Sequence, residues 1–350
     1  MTVLSVAFAL LPVSEHAAGG SEQILWHVER GLVSAGYRSF VVAAKGSSVQ
    51  GCLLPTPRAH CEITDEVRRA AHRAHRKAIQ SVLDTCNVDL IHFHGLDFPE
   101  YIPLNGPPML ATLHLPVDWY PQHIFQIPNL SVNFVSQSQA ATHYASQCRN
   151  GFPVICNGID LSRYQLAPNK EDFLLVLARI CPEKGIDVAL RIAHRLDLRL
   201  IVAGPVHPFA AHETYFNDCV KPLLDSRREY IGPVGLDQKV DLLSRAKCLL
   251  VPSSVAETSS LVAMESLASG TPVVAWRSGA LPEVVEHGVT GFIVDSEDEM
   301  ADAVARINEI STAGCRSAAT ARFDGDRMVR DYLGLYERLR CSIRRQRRTG

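Results

Sequence analysis

Residues 251–275 of this 350-residue chain have the sequence VPSSVAETSSLVAMESLASGTPVVA. The apolar run that ends at Pro252 predicts a buried parallel strand, followed by a polar loop. Ser259 or Ser260 can cap the helix after this loop, Gly270 can end it, and the apolar residues that follow predict a second strand. A strand, a helix and a strand in this order are typical of an α/β protein with a parallel sheet.

Two glutamates stand out in this stretch. The predicted helix is apolar nearly all round, which indicates burial, yet Glu265 lies in its middle. A buried carboxylate is costly unless it is paired, so its partner is either an arginine or backbone amide elsewhere in the chain, or a ligand with hydroxyl groups. Glu257 lies in the preceding loop, where it can reach a ligand above the helix N-terminus. The backbone amides of Ser260 and Leu261 at that N-terminus favour an anion such as a phosphate.

This pattern resembles the signature of the retaining glycosyltransferases of family 4, which have the GT-B architecture. Their signature has two glutamates separated by seven residues and then the run GTPVV, which Glu257, Glu265 and residues 270–274 match. The resemblance covers most of the chain and is densest over residues 173–295. It implies an α/β fold with two Rossmann-like, doubly wound parallel-sheet domains that face one another across a cleft.

The domain bounds follow from the same resemblance. Residues 1–165 are expected to form an N-terminal acceptor-side domain, and residues 166–325 a C-terminal domain that binds the nucleotide-sugar. Residues 326–350 are expected to form a helix that crosses back to the first domain, followed by a basic tail that we predict to be disordered from Arg338 onward. We interpret the polar residues 160–172 as the interdomain linker.

Composition excludes several classes of protein. The length is sufficient for two domains, and 47% hydrophobic with 21% charged residues is typical of a globular protein. A net charge of -2 argues against a dedicated nucleic-acid-binding protein. The cysteines are scattered without zinc-site spacing, which predicts reduced thiols in a cytoplasmic protein and no metal site. The apolar residues 1–13 lack the features of a signal peptide and predict a first buried strand.

The first half of the chain offers two candidate ligand-binding residues. A turn with Gly20 starts the helix predicted for residues 21–35; it is either a phosphate or sugar cradle or a plain tight turn. The resemblance favours the cradle, because many family members have a glycine pair followed by glutamate here. His114 ends a predicted strand, where ligand sites in open α/β sheets gather, although a lone histidine is also explained as a structural one. The resemblance selects His114, because family members have Thr-x-His at this strand end, near the transferred sugar. We also predict strands over residues 133–138 and 153–159.

A basic helix over residues 66–83 has two interpretations. In related enzymes such a helix rests on anionic lipid, which would make the protein peripheral to a membrane surface, whereas a basic solvated face needs no partner. No apolar run is long enough to span a bilayer.

The second half supplies two fixed positive charges. Arg179 and Lys184 follow a predicted strand and precede a helix, an arrangement that suits a diphosphate; the alternative is a surface ion pair of Lys184 with Glu183 or Asp187. Family members have arginine and lysine at this spacing. Val234 lies in a loop that aligns with the family turn whose backbone meets the nucleotide base.

The resemblance implies a retaining, metal-independent hexosyltransferase without a cofactor. Its donor would be a nucleoside-diphosphate sugar, expected to be UDP-linked, and its acceptor an unidentified hydroxyl on a small molecule, a glycan or a lipid-linked molecule. Arg179 and Lys184 would stabilise the leaving diphosphate, Glu265 would bind the ribose, and Glu257 would hold the sugar. Two alternatives remain open: another GT-B enzyme, such as a nucleotide-sugar epimerase or a phosphorylase, and a non-catalytic nucleotide-sugar-binding protein.

One departure from the family pattern concerns the residues after Glu257. Many members have Pro-Phe-Gly or Pro-x-Gly there, whereas this chain has Thr258-Ser259-Ser260. Without that glycine, we expect a tighter amide cradle and a different choice of sugar.

Overall fold

The computed structural model describes residues 1–15, 17, 19–58, 63–146, 152–167 and 169–349. The chain forms two compact units: unit 1 comprises Met1–Asn157 and Gly325–Gly350, and unit 2 comprises Gly158–Asp324. Each unit contains one six-stranded sheet in which every strand pair is parallel. The prediction of an α/β fold with two doubly wound parallel sheets is confirmed.

Unit 1 is built from mostly buried, apolar strands with helices around them, as parallel sheets require. The strands are β1 (Thr2–Val6), β2 (Arg38–Ala44), β3 (Cys52–Thr56), β4 (Leu90–Phe93), β5 (Met109–Leu113) and β6 (Leu130–Phe134). Their order across the sheet is β3-β2-β1-β4-β5-β6. The helices are α1 (Gly20–Ser34), α2 (Asp65–Thr85), α3 (Gln137–Ser146) and a C-terminal helix (Gly325–Thr349).

Unit 2 repeats this arrangement. Its strands are β7 (Phe173–Leu177), β8 (Arg199–Ala203), β9 (Arg228–Tyr230), β10 (Cys248–Val251), β11 (Val273–Trp276) and β12 (Gly291–Val294), in the order β12-β11-β10-β7-β8-β9. Its helices are α4 (Ile186–Arg195), α5 (Ala210–Tyr215), α6 (Leu236–Arg245), α7 (Leu261–Ala268), α8 (Leu281–Val284), α9 (Glu297–Ala305) and α10 (Thr312–Arg322). The order reverses between β7 and β10, so the loops that leave these two strands flank a switch point of the kind where α/β proteins bind ligands.

Short helical turns connect several of these elements. Among the described residues, seven are 3-10 turns (Phe98–Glu100, Val117–Trp119, Gln122–Gln126, Leu161–Arg163, Pro182–Lys184, Lys221–Leu223, Ile307–Glu309), and one is a π turn (Phe216–Val220).

The C-terminal helix is part of the core of unit 1. Tyr332 and Tyr336 on this helix are fully buried. It packs closely on α1, because a Cβ built at Gly31 would lie only 2.3 Å from Cγ1 of Val329. The prediction of a disordered tail from Arg338 is wrong: the helix continues to Thr349, through a segment rich in arginine, which favours helix.

Two predicted strands differ in the structure, and one strand was not predicted. Residues 153–159 contain no strand among those described, only the isolated bridge from Phe134 to Val154 and another bridge at Ile159. The strand expected over residues 133–138 is β6, which ends at Phe134. The edge strand β3 was not predicted because it contains Pro55, a residue that strands tolerate only at an edge.

The basic residues of α2 are all exposed, which both interpretations of this helix allow: Arg68, Arg69, Arg73, Arg76 and Lys77. None of the described helices is both long and apolar enough to cross a bilayer.

Candidate functional site

The loops after β7 and β10 are docked on each other. The carbonyl oxygen of Glu183 accepts hydrogen bonds from the amide of Ser254 (2.9 Å) and the hydroxyl of Ser253 (3.2 Å). Gly185 has a left-handed backbone (φ 61°), and a Cβ there would lie 2.2 Å from the carbonyl oxygen of Pro252. Glycine is therefore needed at this position both for its conformation and for the close approach of the two loops.

The two cations of the β7 loop differ in their contacts. The ammonium group of Lys184 donates to Oε1 of Glu257, and both side chains are largely buried. The alternative pairing of Lys184 with Glu183 or Asp187 is therefore wrong, and the carboxylate of Asp187 instead accepts from Arg191 at 2.7 Å. The side chain of Arg179 is exposed and makes no hydrogen bond or ion pair within the part of the chain that the structure describes, whereas its carbonyl oxygen accepts from the thiol of Cys181 at 3.7 Å.

The loop after β11 holds the loop that carries Glu257. The amide of Ala280 donates to the carbonyl oxygen of Glu257 (2.6 Å), and the hydroxyl of Ser278 donates to that of Val255 (2.8 Å). Between them, Gly279 has φ 52°, and a Cβ built on it would lie 2.2 Å from the carbonyl oxygen of Glu257. Gly279 was not identified from the sequence. Its position in the loop after a strand of the same sheet was the available signal.

Glu265 is buried in α7 with 4% of its surface exposed. Its Oε1 accepts hydrogen bonds from the hydroxyl of Tyr164 (2.8 Å) and from the ammonium group of Lys239 (2.6 Å). Glu265 thus has partners within the chain, a lysine and a tyrosine rather than the arginine or amide that we considered. Its Oε2 accepts no hydrogen bond from any described residue, so half of the carboxylate remains available to a ligand.

Tyr164 and Lys239 were both missed from the sequence. Tyr164 lies within the polar segment that we interpreted as a linker, yet it is 4% exposed. Burial, and then the charge of Glu265, raise the pKa of Tyr164 well above its usual range, so its hydroxyl keeps its proton. An aromatic residue in an otherwise polar segment was the available signal.

The N-terminus of α7 has an unusual backbone. Ser260 is its N-cap residue with φ 56° and ψ 70°, a left-handed conformation, and its side chain makes no capping hydrogen bond with the described amides. A left-handed backbone costs a non-glycine residue about 1–2 kcal/mol. Ser260 occupies the position where the resemblance predicts glycine, so this chain retains the glycine-like conformation with a serine.

Polar groups at this helix start are unsatisfied within the described residues. The amides of Leu261 and Val262 donate no hydrogen bond there, as expected for the first turn of a helix. The hydroxyl of Ser259 is buried and also has no hydrogen-bond partner there. These groups lie at the amide end of α7, where a helix favours an anion.

Two further features lie beside these loops. Val234 is half-buried in the loop after β9, where the carbonyl oxygen of Gly232 accepts from the amide of Gly204 at 2.9 Å. Metal-ligating side chains come together at one place among the described residues: Cys181, Glu183 and His212.

In unit 1, the start of α1 is covered by a carboxylate of the chain itself. Gly20 is the first residue of α1, and the carboxylate of Glu22 folds back so closely that a Cβ on Gly19 would lie 1.9 Å from its Oε2. The hydroxyl of Ser21 donates to the same oxygen at 3.0 Å. Burial raises the pKa of Glu22. A ligand at Gly20 would therefore meet this carboxylate.

His114 is part of a chain of three histidines. Its Nε2 lies 3.0 Å from Nδ1 of His94, whose Nε2 lies 3.1 Å from Nδ1 of His92. His92 in turn contacts the hydroxyls of Thr112 (2.8 Å) and of Tyr336 on the C-terminal helix (2.6 Å). His114 is therefore not a lone histidine, and its tautomer and orientation are set by the residues behind it.

All three rings are neutral at physiological pH. Burial lowers the pKa of His114 to about 3 and the pKa values of His92 and His94 well below their usual range. His114 can therefore exchange hydrogen bonds with a hydroxyl-rich ligand but does not supply a positive charge.

Comparison with known proteins supports the architecture. Residues 160–320 match the model of the family "Glycosyl transferases group 1". A D-inositol 3-phosphate glycosyltransferase of Mycolicibacterium smegmatis is 27% identical over 242 residues, 64% of this chain and 56% of that protein. Another, of Corynebacterium efficiens, is 39% identical over 130 residues, 35% of this chain and 30% of that protein. The chain thus spans little more than half, or less, of these two relatives' length.

Solved structures match over nearly the whole chain. The crystal structure of AviGT4, a glycosyltransferase involved in avilamycin A biosynthesis, has a TM-score of 0.72 and 25% identity, with 98% of each chain covered. A sucrose-phosphate synthase from Thermosynechococcus elongatus has a TM-score of 0.81 and 19% identity, covering 98% of this chain and 100% of that one. Anabaena HepE in complex with UDP and glucose has a TM-score of 0.74 and 18% identity, covering 96% and 99%.

The strain at Ser260 can be measured with two substitutions that both remove the hydroxyl. Ser260→Gly should be more stable than Ser260→Ala by about 1 kcal/mol, because only alanine keeps the Cβ that disfavours φ 56°. Urea unfolding of both variants gives the difference. The same pair at Ser244, inside α6, is the control and should show the opposite order, because alanine is the better helix former. Equal stability of the two Ser260 variants would contradict the assignment of strain.

The neutral histidines make stability depend on pH in a defined direction. The folded pKa of His114, about 3, lies below the unfolded value near 6.5, so its contribution is complete above pH 6.5 and is lost as the pH falls toward 3. Between pH 6 and pH 4, the unfolding free energy of His114→Phe should fall less steeply with decreasing pH than that of the unchanged protein, by up to about 1.4 kcal/mol per pH unit. Urea unfolding across this range measures the dependence of the unfolding free energy on pH. His123→Phe, at an exposed position, is the control. Parallel curves for His114→Phe and the unchanged protein would show that His114 does not titrate this way.

Proposed function

We propose that the protein is a retaining hexosyltransferase, because residues 160–320 match the model of the glycosyl transferases of group 1 and the chain has the GT-B fold. It would move the sugar of a nucleoside-diphosphate donor to a hydroxyl acceptor. The observation that carries the proposal is the switch point of unit 2. There the loops after β7 and β10 carry Arg179, Lys184 and Glu257, and the second of these loops leads into α7 with Glu265.

Negative charge develops on the diphosphate when the bond to the anomeric carbon breaks. Arg179 is exposed and without a partner among the described residues, so it can bind a phosphate without breaking another contact. Lys184 would exchange its contact with Glu257 for a phosphate oxygen. The amides of Leu261 and Val262 would add donors at the positive end of α7. Together these groups supply the charge stabilisation that a metal supplies in other enzymes, and we propose a metal-independent reaction without a cofactor.

Glu265 is proposed to bind the ribose. Tyr164 and Lys239 occupy Oε1 and leave Oε2 to accept a ribose hydroxyl. Lys239 compensates the buried charge of this carboxylate before the donor arrives.

The remaining residues are proposed to act on the base, the sugar and the acceptor side. Val234 would lie against the nucleotide base. Glu257, released from Lys184 by the diphosphate, would hold the sugar or support positive charge at its anomeric carbon. His114 would contact the transferred sugar as a neutral ring, and Gly20 would allow a ligand to approach α1. UDP is the first nucleotide to test, since a neighbour of the same fold is described in complex with UDP and glucose.

The alternatives are separated by their products. An epimerase would convert a nucleotide-sugar without an acceptor, and a phosphorylase would require phosphate. A non-catalytic binding protein would release no nucleoside diphosphate under any of these conditions.

The leaving-group assignment is tested with Arg179→Ala. Turnover, measured as release of nucleoside diphosphate from a panel of donors and acceptors, should fall about 100-fold or more, because a group that stabilises charge in the transition state is lost. The fold should persist, since Arg179 is exposed. Arg277→Ala is the matched control: this arginine, on the loop after β11, forms only a surface pair with Asp295 and its loss should leave turnover unchanged. Near-normal turnover in Arg179→Ala would refute the assignment.

The two glutamates are distinguished by four dissociation constants. Glu265→Gln should weaken free nucleoside diphosphate and intact donor alike, by about 1.5–3 kcal/mol, because the ribose is present in both. Glu257→Gln should bind the free diphosphate at least as tightly as the unchanged protein, because Lys184 no longer has to leave a carboxylate. It should weaken only the sugar-bearing donor. Calorimetry with each variant and each ligand measures this, and circular dichroism verifies that both variants fold. If Glu265→Gln binds the diphosphate as tightly as the unchanged protein, Glu265 does not bind the ribose.

A further inference from the structure

Three metal-ligating side chains converge in unit 2, beside the cations of the β7 loop. Cys181 and Glu183 lie on that loop, and His212 lies on α5. A thiol sulfur, a carboxylate oxygen and a ring nitrogen from these residues all lie within 4.8 Å of one another. Cys181 and His212 are buried, at 0% and 9% exposure, whereas Glu183 is exposed to solvent. The cluster is thus a mostly buried site with one open side.

A second observation points to a ligand at the same place. Nδ1 of His212 is buried and has no hydrogen-bond partner among the described residues. Buried polar atoms in folded proteins nearly always have a partner, and a bound ion is one of the recognised explanations when no partner is found within the chain. An imidazole nitrogen beside a thiol and a carboxylate is suited to bind a metal ion.

The donor set selects the class of metal. One sulfur, one nitrogen and one oxygen are typical of zinc and similar transition metals, whereas Mg²⁺ and Ca²⁺ prefer oxygen alone. Bond lengths of about 2.0–2.3 Å in a tetrahedral site place ligand atoms about 3.3–3.8 Å apart, so side-chain shifts of about 1 Å would close the cluster. A thiolate and a carboxylate also neutralise a divalent ion, which limits its repulsion of Arg179.

We propose that Cys181, Glu183 and His212 bind one divalent transition-metal ion of the zinc class, with water in the fourth position. As the sulfur–metal bond forms, the thiol proton of Cys181 passes to solvent.

The ion would connect two segments that are far apart in the sequence. It would fasten the loop that carries Arg179 and Lys184 to α5, beyond the contacts of that loop with Ser253 and Ser254. It takes no part in the proposed sugar transfer, and the inference does not depend on that function. The expectation of no metal site considered only residues that are close together along the chain, and such spacing does not register a histidine supplied by a distant helix.

The site is tested on the full chain with Zn²⁺ and Co²⁺. The unchanged protein should bind one Zn²⁺ in competition with a chromophoric chelator, and one Co²⁺ with the thiolate-to-metal absorption band of a Co–S bond. Cys181→Ser should abolish that band, and Cys181→Ser and His212→Ala should weaken Zn²⁺ binding more than about 100-fold, since groups one step removed from a metal already change affinity about 10–100-fold. Cys219→Ser is the control, because this cysteine is exposed and lies outside the cluster; it should keep both the band and the affinity.

Glu183→Gln tests the site with a substitution that should not disturb the fold. Glu183 is exposed, so this change should keep the fold while lowering Zn²⁺ affinity at least tenfold. The proposal is overturned if the unchanged protein gives no Co–S band. It is also overturned if the folded Cys181→Ser or Glu183→Gln protein binds Zn²⁺ as tightly as the Cys219→Ser control.

Discussion

The buried charge of Glu265 is the constraint around which unit 2 is arranged. A carboxylate at 4% exposure is tolerated only with compensation, and that comes from Lys239 on α6 and Tyr164 in the first segment of the unit. Removing one partner of such a pair typically costs about 3–5 kcal/mol, whereas a pair of apolar residues would be as stable. The other carboxylate oxygen of Glu265 accepts no hydrogen bond from the described residues. The loops after β7, β10 and β11 are held to one another by close backbone contacts at Gly185 and Gly279.

The sequence was informative where the relevant residues are close together along the chain. The β10–α7–β11 segment, its two glutamates and the ending of α7 at Gly270 follow from local periodicity and turn chemistry. The contacts of those glutamates did not follow, because Lys184, Lys239 and Tyr164 come from segments far away in the sequence. The strain at Ser260 was hidden for another reason: serine is a common N-cap residue, so its presence predicts a capping side chain rather than a left-handed backbone.

The two units have the same strand order, but their candidate residues differ in charge. In unit 2 the loops carry charged groups: Arg179 is exposed to solvent, and Lys184 is paired with Glu257. In unit 1 the corresponding strand ends carry buried neutral rings and a carboxylate with a raised pKa. A shared backbone topology thus leaves the chemistry to the loops and to a few buried side chains.

The C-terminal helix determines the order in which the two units can finish folding during synthesis. Tyr336 supplies the hydroxyl that contacts His92, and Tyr332 contacts Thr112 and Asn133, so three buried polar side chains of the first sheet depend on residues beyond 324. On the ribosome these residues emerge only after all of unit 2. Unit 1 is translated first, yet His92, Thr112 and Asn133 in its core lack their tyrosine partners until unit 2 has been made. Unit 2 is continuous and can close its own core earlier, so the half of the chain that is translated second is the first that can be finished.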